Sequence, residues 1–390
     1  MRKIPFVSLL ATVALATTSA LSDGKTDTPA SMGTTHGVNL QDLREISYRI
    51  DWVNQETAAD LHLATLTDSK LYAIDTFDHL VCYDLKNGSW LWSTPVGNRI
   101  YALLGINANE EARQVYVNAD GAVYAFESDT GMLPTFTDNP MKDATDKPVQ
   151  KLRWSANTPA ILSGSTLLYG SRNGNLVWHD CSIGFSSRTY SIADSMQIAP
   201  TISGDIVVAT GGKGSVAAID LKNSRSLWLM ELLDAIVVSP TINHGTVYIA
   251  GTDQYLRAVD LYTGRPRWKY LTTAELVDAP VVIDDALYQQ IPGAGLTSFS
   301  AFAPDITGEK RWTSPKVTGN VITTTKDDRL LCWDAKARVL QVVDPKHGSV
   351  TYTMALPLVQ TLLVDSLIGG NLYLVTDDDA IIKLIPRLSN

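Results

Sequence analysis

A pattern that returns about every forty residues constrains this 390-residue chain more than any other feature, because a unit that recurs must bury its faces against copies of itself. Residues 71–84, 167–180 and 247–260 each read as a strand, a polar turn and a second strand. Residues 115–127, 206–220, 330–344 and 372–385 follow the same plan, and 287–304 follows it with a Gly-rich turn at 292–295, giving eight copies. Most copies end in the spacing Asp-x-x-x-Gly-x-x-x-aromatic. Asp84, Gly88 and Trp92 show it, as do Asp260, Gly264 and Trp268, and Asp344, Gly348 and Tyr352, while Ser224 stands in the glycine slot between Asp220 and Trp228. This is hairpin chemistry: the Asp caps the turn, the Gly supplies a positive φ, and the aromatic lies in the returning strand.

The aromatic slots set the period. Trp52, Trp92, Trp154, Tyr190, Trp228, Trp268, Trp312 and Tyr352 are separated by 40, 62, 36, 38, 40, 44 and 40 residues, which is room for four short strands per unit. The expected fold is therefore all-β, an eight-bladed β-propeller of four-stranded antiparallel blades over residues 45–390. The one long gap contains residues 132–150, a polar stretch read as a loop inserted in the second blade. The last copy has no aromatic strand after it, whereas residues 46–52 form an outer strand with no blade before it. The N-terminal strand is thus expected to close the last blade and remove the open sheet edges.

Arg2 and Lys3, an apolar run from Ile4 to Ala16 and small residues up to Ala20 have the layout of a secretory signal peptide, so residues 1–20 are expected to direct export to the periplasm or beyond the cell. Residues 21–44, rich in Ser, Thr, Asp and Gly, read as a flexible linker. The apolar run is shorter than the roughly 20 residues a bilayer span needs, and no Cys follows it, so neither a transmembrane segment nor a lipid anchor is expected. A net charge of −9 without Lys/Arg clusters argues against nucleic acid as a partner.

With Ala199-Pro200, Ser239-Pro240 and Ala279-Pro280 before successive strands, and Asp260, Gly264 and Trp268 after one of them, the repeats resemble the pyrroloquinoline-quinone-like propeller family. The resemblance covers residues 45–390 and implies that the recurring Trp residues dock one blade on the next. Within that family the chain is similar in length to the compact BamB-like propellers, which bind a partner and catalyse nothing. The quinoprotein dehydrogenases of the same family are longer, hold the quinone with calcium in the propeller funnel, and in many members carry adjacent cysteines. Cys82, Cys181 and Cys332 are not adjacent, so that enzymatic reading is the alternative and no cofactor is expected.

The remaining residues offer little chemistry. The acidic pairs Asp284-Asp285 and Asp327-Asp328 and the triplet Asp377 to Asp379 lack calcium-loop spacing, and the six histidines lack metal-ligand spacing. Residues 211–214 are Gly-rich but lie between strands, without the helix a phosphate loop needs. No catalytic or metal-ligating residue is nominated. Polar residues just before the innermost strands, Asp60, Arg99, Asn157, Gln197, Asp278 and Gln360, are expected at the channel mouth, where they could meet a ligand or peptide. The expected function is a monomeric, exported, protein-binding or assembly scaffold of the cell envelope. A carbohydrate- or ligand-binding module using the channel is the third reading, and loop 132–150 is a further candidate recognition element.

Overall fold

The computed structural model describes residues 34–55, 61–97, 101–133, 149–192 and 194–387. Among these residues the strands form eight four-stranded antiparallel sheets and one small hairpin. Blades 1 to 7 span 63–95, 103–151, 161–191, 201–231, 241–271, 281–314 and 320–355, each built from four strands consecutive in sequence. Blade 8 takes three strands from 359–386 and its outer strand from Tyr48–Asn54, with Tyr48 opposite Pro386 and Asn54 opposite Ile381. The fold is the eight-bladed propeller that the repeat predicts, closed by the N-terminal strand. The eight strand-turn-strand copies are the second and third strands of the eight blades.

The sequence signature is explained where one blade meets the next. In the turn after the third strand, the Asp84 carbonyl accepts from Gly88 N–H at 2.8 Å while its carboxylate accepts from Lys86 N–H at 2.7 Å. The Asp344 turn repeats this with Gly348 and Lys346. Gly348 has φ +69, and a Cβ there would lie 2.4 Å from the Trp312 ring, which packs flat on the turn from the preceding blade. The glycine is therefore required twice, for its dihedral and for the absence of a side chain. The same tryptophan donates its indole N–H to the carbonyl just past the third strand of the next blade: Trp52 to Leu85 at 3.1 Å, Trp92 to Ser128 at 3.1 Å, Trp228 to Leu261 at 2.8 Å, Trp268 to Ala301 at 3.0 Å and Trp312 to Pro345 at 2.8 Å.

Three of the eight aromatic slots differ from the expected pattern. Trp154 falls beyond the outer strand of blade 2, Val149–Lys151, which takes in the last two residues of the loop expected at 132–150, and Gln150, opposite Val123, makes the docking bond from two residues past the slot. Spacing picked the nearest aromatic, but a short amide does the work: Gln150 Nε2 donates to Cys181 O at 2.8 Å. Tyr190 likewise lies two residues past its slot. Arg188 stands there, and the indole comes from its cross-strand neighbour Trp178, which donates to Leu221 O at 3.2 Å. This is the junction where Ser224 replaces the turn glycine, with φ +59 and a buried hydroxyl that has no hydrogen-bond partner. Tyr352 does occupy its slot, but its hydroxyl donates to Asp42 of an N-terminal helix at 2.8 Å.

That helix corrects the later part of the linker expected at 21–44, of which residues 21–33 lie outside the described residues. From Thr34 onward the chain is ordered as a hairpin, Thr34–Thr35 with Val38–Asn39, and a helix, Leu40–Glu45, capped by the Asn39 side chain. Val38, Leu43, Ile46 and Tyr48 are fully or almost fully buried in one cluster with Leu340, Met354, Leu372 and Leu384 of blades 7 and 8. At the junction of blades 7 and 8 this segment is what Tyr352 meets. The expected signal segment, residues 1–20, lies outside the described residues.

At the junction of blades 2 and 3, Gln150 Oε1 accepts from His179 Nε2 at 2.8 Å, and His179 Nδ1 meets Ser186 Oγ at 3.1 Å. His179 is completely buried. Burial depresses its pKa from the usual 6.5 to about 4, against a smaller opposing pull from Asp180.

Two predictions follow from these junctions. Trp312→Phe leaves the Pro345 carbonyl unpaired and should cost about 1–3 kcal/mol in denaturant unfolding, Gly348→Ala should cost more, and Ser224→Gly should stabilise by about 0.5–1 kcal/mol. His179 binds a proton more readily unfolded than folded, so its contribution is fully present above pH 6.5 and is lost as the pH falls towards about 4. Replacing it with Gln should flatten that part of the stability-versus-pH curve, measured by thermal melting between those limits.

Candidate functional site

In each of blades 1 to 7 the turns between the first and second and between the third and fourth strands lie on one rim of the ring, and the turn between the second and third strands lies on the other with the blade-to-blade linkers. On the linker rim the Pro-containing linkers are tied directly to one another. Ser239 Oγ donates to Ala199 O at 3.2 Å, Thr201 Oγ1 to Pro240 O at 3.0 Å, and Thr241 Oγ1 to Pro280 O at 2.5 Å. Linkers 192–200, 232–240 and 272–280 therefore lie side by side. Thr252 clamps the middle one, donating to Ala235 O from its amide at 3.0 Å and its hydroxyl at 2.9 Å.

This belt absorbs two of the polar residues expected at the channel mouth. Asn157 Nδ2 donates to Met196 O at 2.6 Å, joining the linkers into blades 3 and 4. Asp278 accepts from Asn320 Nδ2 and, through its carbonyl, from Gln289 Nε2, both at 2.8 Å. Gln197 is exposed, and Gln360 sits in the inner strand of blade 8 with its Oε1 buried and without a hydrogen-bond partner. These four residues stand at the entries to blades 3, 4, 6 and 8. Asp60 and Arg99 lie outside the described residues.

The repeat slot that holds Asn157 and Gln197, directly after buried Ala156 and Met196, is filled in the next two blades by Val237 and Val277 after buried Ile236 and Leu276. Both valines are 48% exposed. On the same rim Leu233 is 88% and Leu271 58% exposed, among the exposed carboxylates of Glu231, Asp234 and Glu275. Sequence reasoning sought polar side chains here and passed over these aliphatics. The available signal was a Val in a slot whose earlier copies are Asn and Gln.

The opposite rim has clefts between blades. One of about 440 Å³, between blades 6 and 7, is lined by Asp284, Asp285, Arg311, Asp328, Lys346 and Ile368. Another of about 410 Å³, where blades 8 and 1 meet, includes Asp68, Lys70, Asp84, Asp365 and Lys383. The Arg311 guanidinium, 2.6 Å from Asp285, holds that carboxyl below its ordinary range. Among the described residues no three His, Cys, Asp or Glu side chains form a group able to hold a metal ion. Among the described residues, too, no helix is long and apolar enough to cross a membrane. Cys82, Cys181 and Cys332 are free and buried, and burial raises all three thiols, Cys82 to about 12. A thiol is reactive as the thiolate. A chromogenic thiol reagent should therefore leave the folded protein unlabelled and titrate three groups after denaturation.

The comparisons with known proteins agree with this architecture. The structure is similar to BamB from Moraxella catarrhalis, with TM-score 0.66 and 18% identity over 88% of this chain and 99% of that one. It is also similar to the computationally designed Ika8 protein, with TM-score 0.63 and 13% identity over 84% of this chain and 97% of that one. The C-terminal WD40 domain of Sif2 has TM-score 0.63 and 9% identity over 88% of this chain and 100% of that one. At such identities these likenesses speak for the fold alone. No curated protein sequence matches the chain. The family model described as outer membrane protein assembly factor BamB matches residues 44–270, and the chain belongs to that family.

Proposed function

We propose that this protein is an exported, non-catalytic scaffold of the cell envelope that holds a protein partner on its linker rim. The observation that carries the reading is the aliphatic group Leu233, Val237, Leu271 and Val277, exposed on linkers that are hydrogen-bonded into a rigid belt. A contiguous apolar surface bordered by charged groups is characteristic of a protein contact, since its burial releases water while the rim stays solvated. Rigid presentation lowers the entropy lost on binding. Membership of the BamB family supports a role in assembly, and the composition of residues 1–20 supports export.

The test is capture from envelope extracts by immobilised protein. The double variant Leu233→Asp, Val277→Asp should lose the captured partner while melting at the same temperature, because both side chains are already in water. Equal capture by the variant, or no specific capture by the wild type, would refute the reading.

A further inference from the structure

The aliphatic patch of the linker rim is set among carboxylates, and these fall into two groups. Asp194, Asp253 and Asp278 are bonded within the belt: Asp194 accepts from Ser215 Oγ at 3.0 Å with Lys213 Nζ 3.9 Å away, Asp253 is held by both terminal nitrogens of Arg257, and Asp278 accepts from Asn320. Glu231, Asp234 and Glu275 are exposed and make no ion pair among the described residues. Glu231 accepts from Ser215 Oγ through one oxygen, and Asp234 accepts from the adjoining amide of Ala235, each at 2.8 Å. Each of these carboxylates borders an exposed aliphatic. Asp234 follows Leu233, Glu275 lies two residues before Val277, and Glu231 holds in blade 4 the slot that Leu271 holds in blade 5. The cations of this part of the rim are placed elsewhere: Lys213 beside Asp194, Arg257 on Asp253, and Lys269 over the Tyr255 ring, 5.3 Å from its centroid. Lys316 lies beyond the patch, on the linker into blade 7.

We infer that the partner held on this rim binds through a basic, aliphatic segment, one in which Lys or Arg side chains stand among aliphatic ones. The inference rests on the linker-rim reading and narrows it to one class of protein surface. A neutral or acidic segment covers Leu233, Val237, Leu271 and Val277 equally well, but it leaves three carboxylates at the border of a dehydrated contact with no opposite charge, which costs affinity. A basic segment sets an ammonium or guanidinium on Asp234, on Glu275 and on the second oxygen of Glu231, while its aliphatic groups meet the valines and leucines. The methylene stems of Lys and Arg add apolar surface of their own, so one residue type serves both kinds of contact. Complementary charge also steers the encounter and rejects partners of the wrong sign, and that share of the binding fades as salt screens it.

Fluorescence anisotropy tests it, with the full chain and short synthetic peptides in which Leu alternates with Lys, Gln or Glu, and a further peptide in which Ser alternates with Lys. The Leu/Lys peptide should bind roughly tenfold more tightly than Leu/Gln, and should lose roughly tenfold in affinity between about 50 and about 500 mM salt. Leu/Glu and Ser/Lys should not bind. The variant Glu231→Gln, Asp234→Asn, Glu275→Gln should melt as the wild type does and bind Leu/Lys no better than Leu/Gln. Failure of Leu/Lys to bind overturns the proposal, as does a preference for Lys that this variant retains or binding of Ser/Lys as tight as that of Leu/Lys. Equal binding of the Leu peptides that Leu233→Ser, Val277→Ser abolishes overturns the basic class alone and leaves the rim as the docking surface. Leu/Lys binding that Leu233→Ser, Val277→Ser leaves intact overturns both.

Discussion

The structure depends on one contact made again and again around the ring: a tryptophan of one blade lies flat on the turn of the next and gives its indole N–H to a carbonyl there. Each part of the contact compels another. The ring can lie on the turn because Gly88 or Gly348 has no side chain, and the turn exists because that glycine takes a positive φ and the preceding Asp caps it. The indole satisfies a carbonyl that the blade boundary would otherwise bury unpaired, and an unpaired buried carbonyl costs about 1–3 kcal/mol. Packing and hydrogen bonding thus fix the same blade-to-blade geometry. Where the tryptophan is missing from its strand, Gln150 or the relocated Trp178 still reaches the equivalent carbonyl. The carbonyl is the invariant part, and the donor is negotiable.

A ring built this way must close, and at its last junction an N-terminal segment joins the contact. There Tyr352 meets the segment from Thr34 to Ile46, with Val38, Leu43 and Ile46 buried against blades 7 and 8 and Asp42 accepting from Tyr352. The N-terminal segment is therefore both latch and filler: it covers the junction and then pairs as the outer strand. Arg329 reinforces it from blade 7 by donating to Glu45 O and Ser47 Oγ.

Because the blades spend nearly all their apolar side chains on one another, what remains for recognition is on the rims and edges. The linker rim illustrates how. The Ser239, Thr201 and Thr241 hydroxyls and the Asn157 and Asp278 side chains bond neighbouring linkers, while aliphatics stand exposed beside carboxylates. A surface whose polar groups are satisfied internally and whose apolar groups are not suits a protein partner better than a small polar ligand.

The sequence by itself determined the number of blades, their strands and the closure, since turn chemistry at Asp84, Gly88 and their copies is local and the forty-residue period leaves no other way to bury the faces. It also marked Trp92, Trp228, Trp268 and Trp312 as the docking residues of their blades. Only the tertiary structure decided which residue docks when the register slips, because Gln150, Trp178 and the Leu40–Glu45 helix act on carbonyls and faces distant in sequence. The channel-mouth residues show the same limit. Asn157 and Asp278 are polar in the sequence, but whether a polar group is free for a ligand depends on whether a neighbouring linker already claims it, and that Val237 and Val277 stand half exposed is likewise set by the linkers around them. Hydrogen-bond saturation and exposure are properties of the assembled ring, and no single strand carries them.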